Sequence, residues 1–159
     1  MKALIVYYSL EGNTAYAAER IAAANGADLL RLVPKKAYTD KGPAKFMRGG
    51  MHAVMGKTPK LEEYSVDLAQ YEQVIFGFPV WAAHVTPPIR TFVTEQKAAL
   101  AGKSFAVFAC EAGNGAEKAF ENLRELLEIE AFDKTGIFIE PKKHQTAETD
   151  AAIDAFANK

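Results

Sequence analysis

The chain has a single cysteine, Cys110, and no apolar run of membrane-spanning length. One cysteine excludes an internal disulfide and any cysteine-rich metal site, and a reducing compartment is its simplest setting. The first residues include a short apolar run, but neither a signal-peptide length of apolar sequence nor a small-residue cleavage site follows. We therefore expect a cytoplasmic protein that does not insert into membranes.

Internal repeats, low-complexity tracts and linkers are also absent from the 159 residues. A chain of this length can bury one full hydrophobic core, and a hydrophobic fraction of 49% is ordinary for a globular protein. These features predict a single domain over residues 1–159.

The chain has no large excess of positive or negative charge, since its net charge is −1. Its charged residues are, however, unevenly distributed along the sequence. Residues 34–60 hold seven basic residues against one acidic residue, Asp40, whereas residues 111–133 have a net charge of −5. Most of these charges are expected on solvated helix faces, although an acidic face could also steer a basic partner. The basic segment does not indicate nucleic acid, because Phe46 and the methionines near it are not an aromatic stacking platform.

Apolar runs of strand length alternate with helical patterns five times. Strands are predicted at about 2–8, 28–33, 74–78, 104–110 and 135–140, and helices at about 14–25, 62–70, 87–100, 115–130 and 147–158. The third and fourth strands are apolar throughout, which is typical of central strands covered on both faces. The pattern predicts a doubly wound α/β fold with a five-stranded parallel sheet in the order 2-1-3-4-5. Ligands of such sheets bind beyond the carboxyl ends of the strands, so the loops after strands 1, 3 and 4 form the candidate site.

The loop after the first strand, Ser9–Thr14, gathers hydroxyls, a glycine and backbone N–H groups at the start of a helix. The helix macrodipole favours an anion there. The loop contains no lysine or arginine, so it is not the phosphate loop of a nucleotide hydrolase, and no Gly-x-Gly-x-x-Gly indicates a dinucleotide. It predicts a neutral cradle for one terminal phosphate, although Ser, Asn and Thr are also ordinary helix caps.

The loop after the third strand holds the only tryptophan of the chain, Trp81. Its indole offers a plane on which an aromatic ligand could stack, and the alternative is an anchor in the core or an interface. His84 in the same loop is either close to such a ligand or an exposed loop residue.

The loop after the fourth strand runs from Cys110 to Gly115 and contains two glycines, which allow a close approach of backbone to a ligand. The alternative is a turn that begins a helix with Asn114 as its cap. We expect Cys110 to be a packed small side chain rather than a redox thiol, because no second cysteine is present to resolve it.

Together these motifs resemble those of the flavodoxin family. They are Tyr-Ser-Leu-Glu-Gly-Asn-Thr at 8–14, Pro-Val-Trp-Ala at 79–82 followed by Pro-Pro-Ile-Arg-Thr-Phe at 87–92, and the glycine-rich loop at 110–115. The resemblance covers nearly the whole chain and implies one flavodoxin-like domain that binds flavin mononucleotide (FMN). It implies phosphate contacts from Ser9, Leu10, Glu11, Gly12, Asn13 and Thr14, ring contacts from Pro79, Val80, Trp81 and Ala82, and contacts to the pyrimidine side from Cys110, Glu111, Ala112, Gly113, Asn114 and Gly115.

The resemblance implies a low-potential electron-transfer protein that exchanges electrons with redox partner proteins. The alternative is an FMN-dependent reductase that passes hydride from NAD(P)H to a quinone or another small acceptor. A flavin-free signalling domain of the same fold would need a phospho-accepting aspartate at a central strand end, where this chain has Tyr8, Phe78 and Cys110.

Two features depart from the family pattern. Family carriers are usually strongly acidic, whereas this chain is nearly neutral. Many members also place glycine next to the flavin, where this chain has Ala82-Ala83. We expect a positive φ at these positions to cost more in alanine than in glycine.

The longest connection, residues 34–73, is too long to be bare loop in a compact domain. Three methionines in it recur every four residues, which is one face of a helix; they are Met47, Met51 and Met55. Gly49-Gly50 weakens that helix by roughly 1 kcal/mol per glycine. Core packing is the default expectation for the methionines, and a partner surface is the other interpretation. We hypothesise that residues 43–57 cover the flavin mouth or a partner site.

Overall fold

The computed structural model describes residues 2–39 and 44–158, without the side chains of residues 44–46. Asp40 and Lys41, which were counted in the basic segment, lie outside the described residues, as do the side chains of Lys45 and Phe46. No helix within this described part of the chain is long and apolar enough to cross a bilayer.

Five strands form one parallel sheet in the order β2-β1-β3-β4-β5, which confirms the predicted fold. They are β1 (Ala3–Tyr7), β2 (Asp28–Arg31), β3 (Gln73–Pro79), β4 (Ser104–Glu111) and β5 (Thr135–Ile139). The interiors of β3 and β4 are buried throughout, because helices cover both faces of the sheet. Tyr7 lies opposite Gly77, and Gly77 lies opposite Phe108, so the central strands end at nearly the same level.

Five α-helices accompany the sheet: α1 (Asn13–Asn25), α2 (Ala44–Val54), α3 (Pro87–Leu100), α4 (Ala116–Leu127) and α5 (Ala147–Ala157). Helices α1 and α5 pack against one face, around Ile21 and Phe156. Helices α3 and α4 pack against the other face, around Phe92 and Leu123. Each helix therefore buries one apolar side, as expected for a doubly wound sheet.

The prediction of a helix at 62–70 is wrong. Only a 3₁₀ turn, Leu68–Gln70, forms there. The chain before it is held against residues 33–35 instead: Glu62 N–H donates to Val33 O at 2.7 Å, and Lys35 N–H donates to Lys60 O at 2.9 Å. These backbone groups are satisfied by a neighbouring segment, so they are not available to a helical ladder.

The helix of this long connection is α2, which begins earlier in the chain. Its methionines do not pack into the core: Met47, Met51 and Met55 are all exposed. The buried side of α2 carries Gly49 and Ala53 instead. The core expectation for the methionine stripe is therefore wrong, because the small residues occupy the inner face of the helix.

Candidate functional site

The three predicted loops meet around a cavity of about 120 Å³ beyond the carboxyl ends of β1, β3 and β4. Its lining includes Ser9, Leu10, Glu11, Asn13, Thr14, Pro79, Val80, Trp81, Cys110, Glu111 and Ala112, together with Glu140 and Lys143. The cavity lies where the winding of the sheet reverses, between β1 and β3. Five predicted residues are not in the lining: Gly12, Ala82, Gly113, Asn114 and Gly115.

The loop between β1 and α1, for which an anion cradle was predicted, caps the helix. Ser9 is buried, and its Oγ accepts the Ala15 N–H at 3.1 Å. Gly12 is the N-cap with φ 98°, it has no side chain to cap the helix, and no acidic residue lies in the first turn. The N–H groups of Asn13 and Thr14 have no intrahelical acceptor. No other acceptor contacts these N–H groups in the described part of the chain. They are therefore available to a ligand, and the positive end of the helix dipole lies behind them.

A lysine that sequence analysis missed reaches this cradle from the loop after β5. A Cβ on Gly12 would lie 2.8 Å from Lys142 Nζ, so the ammonium group sits directly against the glycine. Asn13 Oδ1 anchors the lysine's backbone by accepting the Lys142 N–H at 2.9 Å. The expectation of a neutral cradle is therefore wrong. A signal was available, since Pro141-Lys142-Lys143 follows β5 at the same edge of the sheet as the other loops.

Trp81 lines the cavity and is also part of the core. Only 8% of its surface is exposed. Its ring meets the edges of Tyr8 and Tyr38 at centroid distances of 5.5 and 5.1 Å. Helix α2 presses on it as well, because a Cβ on Gly49 would lie 2.8 Å from Trp81 Cζ3. The structure thus combines the two roles considered for this residue, a core anchor and a wall of the site.

Trp81 and His84 close a tight turn with both central residues in the left-handed region. His84 N–H donates to Trp81 O at 3.0 Å, and φ is 52° at Ala82 and 60° at Ala83. Such a turn favours glycine or asparagine, because a Cβ at positive φ costs roughly 1–2 kcal/mol per residue. The half-buried His84 ring braces the turn, with Nδ1 2.7 Å from Ala82 O.

The loop between β4 and α4 is shaped by Glu111 rather than by Asn114. Glu111 Oε2 accepts the Ala116 N–H at 3.0 Å, and the N-cap is Gly115 with φ 102°. The alternative interpretation, in which Asn114 caps α4, is therefore wrong, and the Asn114 side chain is exposed. A Cβ on Gly115 would lie 3.1 Å from Val80, so this glycine lets the two loops approach each other.

Cys110 fixes the base of the site. Its carbonyl accepts the Val80 N–H at 3.0 Å, which joins the β3 and β4 loops. Its thiol is buried in the core cluster under α1, and burial raises the pKa of this thiol to about 12. A protonated, buried thiol is a packing group and not a nucleophile, as expected.

A larger cavity of about 490 Å³ lies at the opposite edge of the sheet, between the ends of α3 and α4. Both of its lysines are engaged: Lys97 donates to Leu126 O at 2.8 Å, and Lys103 donates to Tyr71 O at 2.7 Å. It contains neither a helix N-terminus nor a loop from the carboxyl edge of the sheet. We therefore place the functional site at the smaller cavity.

Comparisons with known proteins identify one matching family and several solved structures of similar fold. The family profile described as Flavodoxin matches residues 2–150. A flavoprotein from Lactobacillus acidophilus, solved in complex with FMN, is 20% identical with a TM-score of 0.76, and the match covers 99% of each chain. Oxidised flavodoxin 2 from Bacillus cereus is 20% identical with a TM-score of 0.58, over 99% of this chain and 95% of that one. Two-electron reduced flavodoxin from Megasphaera elsdenii is 20% identical with a TM-score of 0.57, over 99% of each chain. Among curated proteins, no sequence matches significantly.

Proposed function

This chain belongs to the flavodoxin family, and from that premise we propose that it binds FMN and carries electrons between redox partner proteins. The observation that carries the proposal is the cradle at the start of α1. There a glycine N-cap, unsatisfied amides and the Lys142 ammonium converge at the switch point of the sheet. That combination favours an anion such as a terminal phosphate.

The residues present fit this cofactor. In the proposal, Ser9–Thr14 and Lys142 hold the phosphate, and the Pro79–Ala82 segment holds the ring. The backbone of residues 110–115 supplies donors and acceptors for the pyrimidine side. A described cavity of about 120 Å³ matches the phosphate end better than a whole FMN, so the ring would extend towards the exposed Gly113-Asn114 turn.

The chemistry of such a protein resides in the cofactor, since FMN when bound supplies reversible one- and two-electron transfer. The chain's own residues bind, orient and shield. Lys142 and the α1 dipole offset the phosphate charge, and Trp81 with its tyrosine neighbours excludes water from one wall. Within the described residues, no cluster of three or more His, Cys, Asp or Glu could hold a metal ion.

Two features favour a carrier over an NAD(P)H-dependent reductase. Helix α2 closes on Trp81 through Gly49, which leaves little space for a nicotinamide on that side of the indole. The buried Cys110 thiol, whose pKa is raised by burial to about 12, offers no second redox group.

The test begins with flavin-free protein titrated with FMN, with flavin fluorescence as the readout. We expect FMN to bind tightly and its fluorescence to be quenched. A protein that does not bind added FMN would contradict the proposal. NADH and NADPH are then added anaerobically to the loaded protein. Slow or absent bleaching supports a carrier, whereas rapid bleaching by either nucleotide alone supports the reductase.

A further inference from the structure

Helix α2 presents an apolar surface to solvent, made of Met47, Met51, Val54 and Met55, which we call the α2 face. Each of these side chains is between 57% and 66% exposed. At 3.6 residues per turn they fall within an arc of about 100°. The opposite side of the helix, with Gly49 and Ala53, is buried against Trp81 and the core. The helix therefore cannot roll its methionines inward without losing that packing.

Basic side chains cluster along one flank of the α2 face. Arg48 lies 4.2 Å from the centroid of the Tyr38 ring, and the Tyr38 hydroxyl lies 2.9 Å from Nδ1 of His52 on α2, so Arg48 is close to His52. Burial and then the positive charges of Arg48, Lys57 and Lys36 hold the pKa of His52 below its ordinary value. The Lys35–Lys60 backbone hydrogen bond brings two more lysines together next to Lys36.

None of these cations has a carboxylate within 4 Å among the described residues. Elsewhere in the described residues several basic side chains are paired with carboxylates, for example Arg20 with Asp154, Lys97 with Glu128, and Arg124 with Glu121. Arg48 donates to Ala37 O at 3.0 Å and lies over the Tyr38 ring, and neither of these described partners is an anion. Cations that have no ion pair among the described residues, next to an exposed apolar face, attract acidic groups from outside the molecule.

Helix α2 adjoins the proposed cofactor site through the side opposite the α2 face. Gly49 contacts the Trp81 ring, and a Cβ on Gly50 would lie 3.8 Å from the Ala82 side chain. A molecule that covers the α2 face is therefore separated from the Trp81 loop by one helix. This position matters for electron transfer, because the rate falls steeply with distance.

We propose that the α2 face docks an acidic redox protein, which places methionines against its apolar centre and Lys35, Lys36, Arg48, Lys57 and Lys60 against its carboxylates. The proposal rests on the proposed carrier function. Methionine suits such a contact because its flexible thioether side chain adapts to different partner surfaces. The cations steer the encounter, and the apolar centre supplies contact area.

Two other occupants fit the observations less well. A second copy would bring its acidic α4 to the α2 face, which is a head-to-tail contact that does not close into a dimer. A membrane would meet a short helix of 11 residues whose described exposed face has no aromatic anchor. An acidic protein requires neither closure nor insertion.

The test uses reduced plant-type [2Fe–2S] ferredoxin as an acidic probe and cytochrome c as a basic probe, in anaerobic stopped-flow experiments with the FMN-loaded protein. The variant is Lys36→Glu with Lys57→Glu. The control is Lys118→Glu, an exposed lysine on the acidic helix α4, and the single variant Lys57→Glu is its charge-matched counterpart near α2. We expect the charge reversal on α2 to lower the ferredoxin rate constant by about tenfold at low salt and the control by less than twofold. Electron exchange with cytochrome c should not fall in the α2 variant.

A calorimetric titration of flavin-free protein with ferredoxin separates this proposal from the cofactor proposal, because docking needs no bound flavin. Binding that weakens in the α2 variant and in Met51→Gln with Met55→Gln supports the α2 face. Equal effects of the α2 variant and the control would overturn the proposal even if FMN binds tightly. Charge-dependent binding to phosphatidylglycerol vesicles without ferredoxin binding, or self-association that Met51→Gln abolishes, would also overturn it in favour of a membrane or a second copy.

Discussion

A methyl group placed on Gly49 would lie 2.8 Å from Cζ3 of Trp81, so α2 and the β3–α3 loop meet with no space for a side chain between them. The glycine pair in α2 was interpreted from sequence as a weakness in the helix. The structure shows that Gly49 is a contact point. It allows a helix from the long connection to approach the only tryptophan of the chain.

Gly49→Ala should destabilise the protein by about 1–3 kcal/mol, because overpacking against the rigid indole exceeds the gain in helix propensity. Its matched partner is Gly50→Ala, where the nearest described neighbour is the Ala82 side chain at 3.8 Å. That variant should be stabilised by up to about 1 kcal/mol. Urea unfolding of flavin-free protein measures both, and Trp81 emission should shift only in Gly49→Ala. Equal stabilisation by the two substitutions would show that the contact is absent.

Ala82→Gly should stabilise the protein by about 0.5–1 kcal/mol. The alanine holds φ 52°, which costs roughly 1–2 kcal/mol, and glycine removes that cost but increases the entropy of the unfolded chain. Ala101→Gly is the control, since φ there is −58° and only the entropic loss applies. We expect the control to lose about 0.5–1 kcal/mol in the same unfolding experiment. A loss of similar size in both variants would mean that the turn is not strained.

Lys142→Gln should weaken FMN binding about tenfold and leave riboflavin binding within about twofold, because only FMN carries the phosphate that the ammonium would pair with. Fluorescence titrations with both flavins measure this difference, and it should shrink as salt is added. Lys118→Gln serves as the charge-matched control and should alter neither affinity. If Lys142→Gln weakened both flavins equally, the lysine would act on loop structure and not on the phosphate.

The Cys110 thiol should be inert in the folded protein, because burial raises its pKa to about 12 and leaves no thiolate at neutral pH. Reaction with a disulfide reagent at pH 8 should follow global unfolding and accelerate in urea. The raised pKa also has a consequence for stability. The stabilisation of the folded protein that comes from this shift is complete below the pKa of the thiol in the unfolded chain. It is lost as the pH rises towards the pKa of the thiol in the folded protein.

Between pH 8.5 and 9.5, the free energy of unfolding should therefore decrease by up to about 1 kcal/mol in the wild type and remain flatter in Cys110→Ala. This pH interval ends below the ordinary pKa of tyrosine. Burial raises the pKa of several tyrosines further, so tyrosine ionisation does not contribute to the slope within the interval. Urea midpoints at several pH values give the slope. Parallel slopes in the two proteins would contradict a thiol origin.

The sequence was most informative where short-range patterns decide structure. Continuous apolar runs mark β3 and β4, since buried central strands need apolar side chains on both faces. Alternation with helices then leaves few possible strand orders, and the observed order is the predicted one. The loops that line the site follow from the same argument, because the carboxyl ends of parallel strands share one edge.

The errors arose where distant segments compete for the same groups. Residues 62–70 have a helical pattern, but Glu62 donates its N–H to Val33 and the segment remains extended. The inner face of α2 was assigned to its methionines because they are the larger apolar residues. Gly49 and Ala53 occupy it instead, since Trp81 leaves space only for small residues.

The sequence alone therefore determined the sheet, its order and the three loops at its edge, because side-chain burial and strand alternation are local properties of the chain. Only the tertiary structure decided that a lysine lies at the start of α1 and that the α2 face is exposed. Lys142 reaches Gly12 across 130 positions of sequence. Met51 faces solvent because a glycine two residues before it is already packed against an indole. Such contacts depend on the space between elements, which no local pattern encodes.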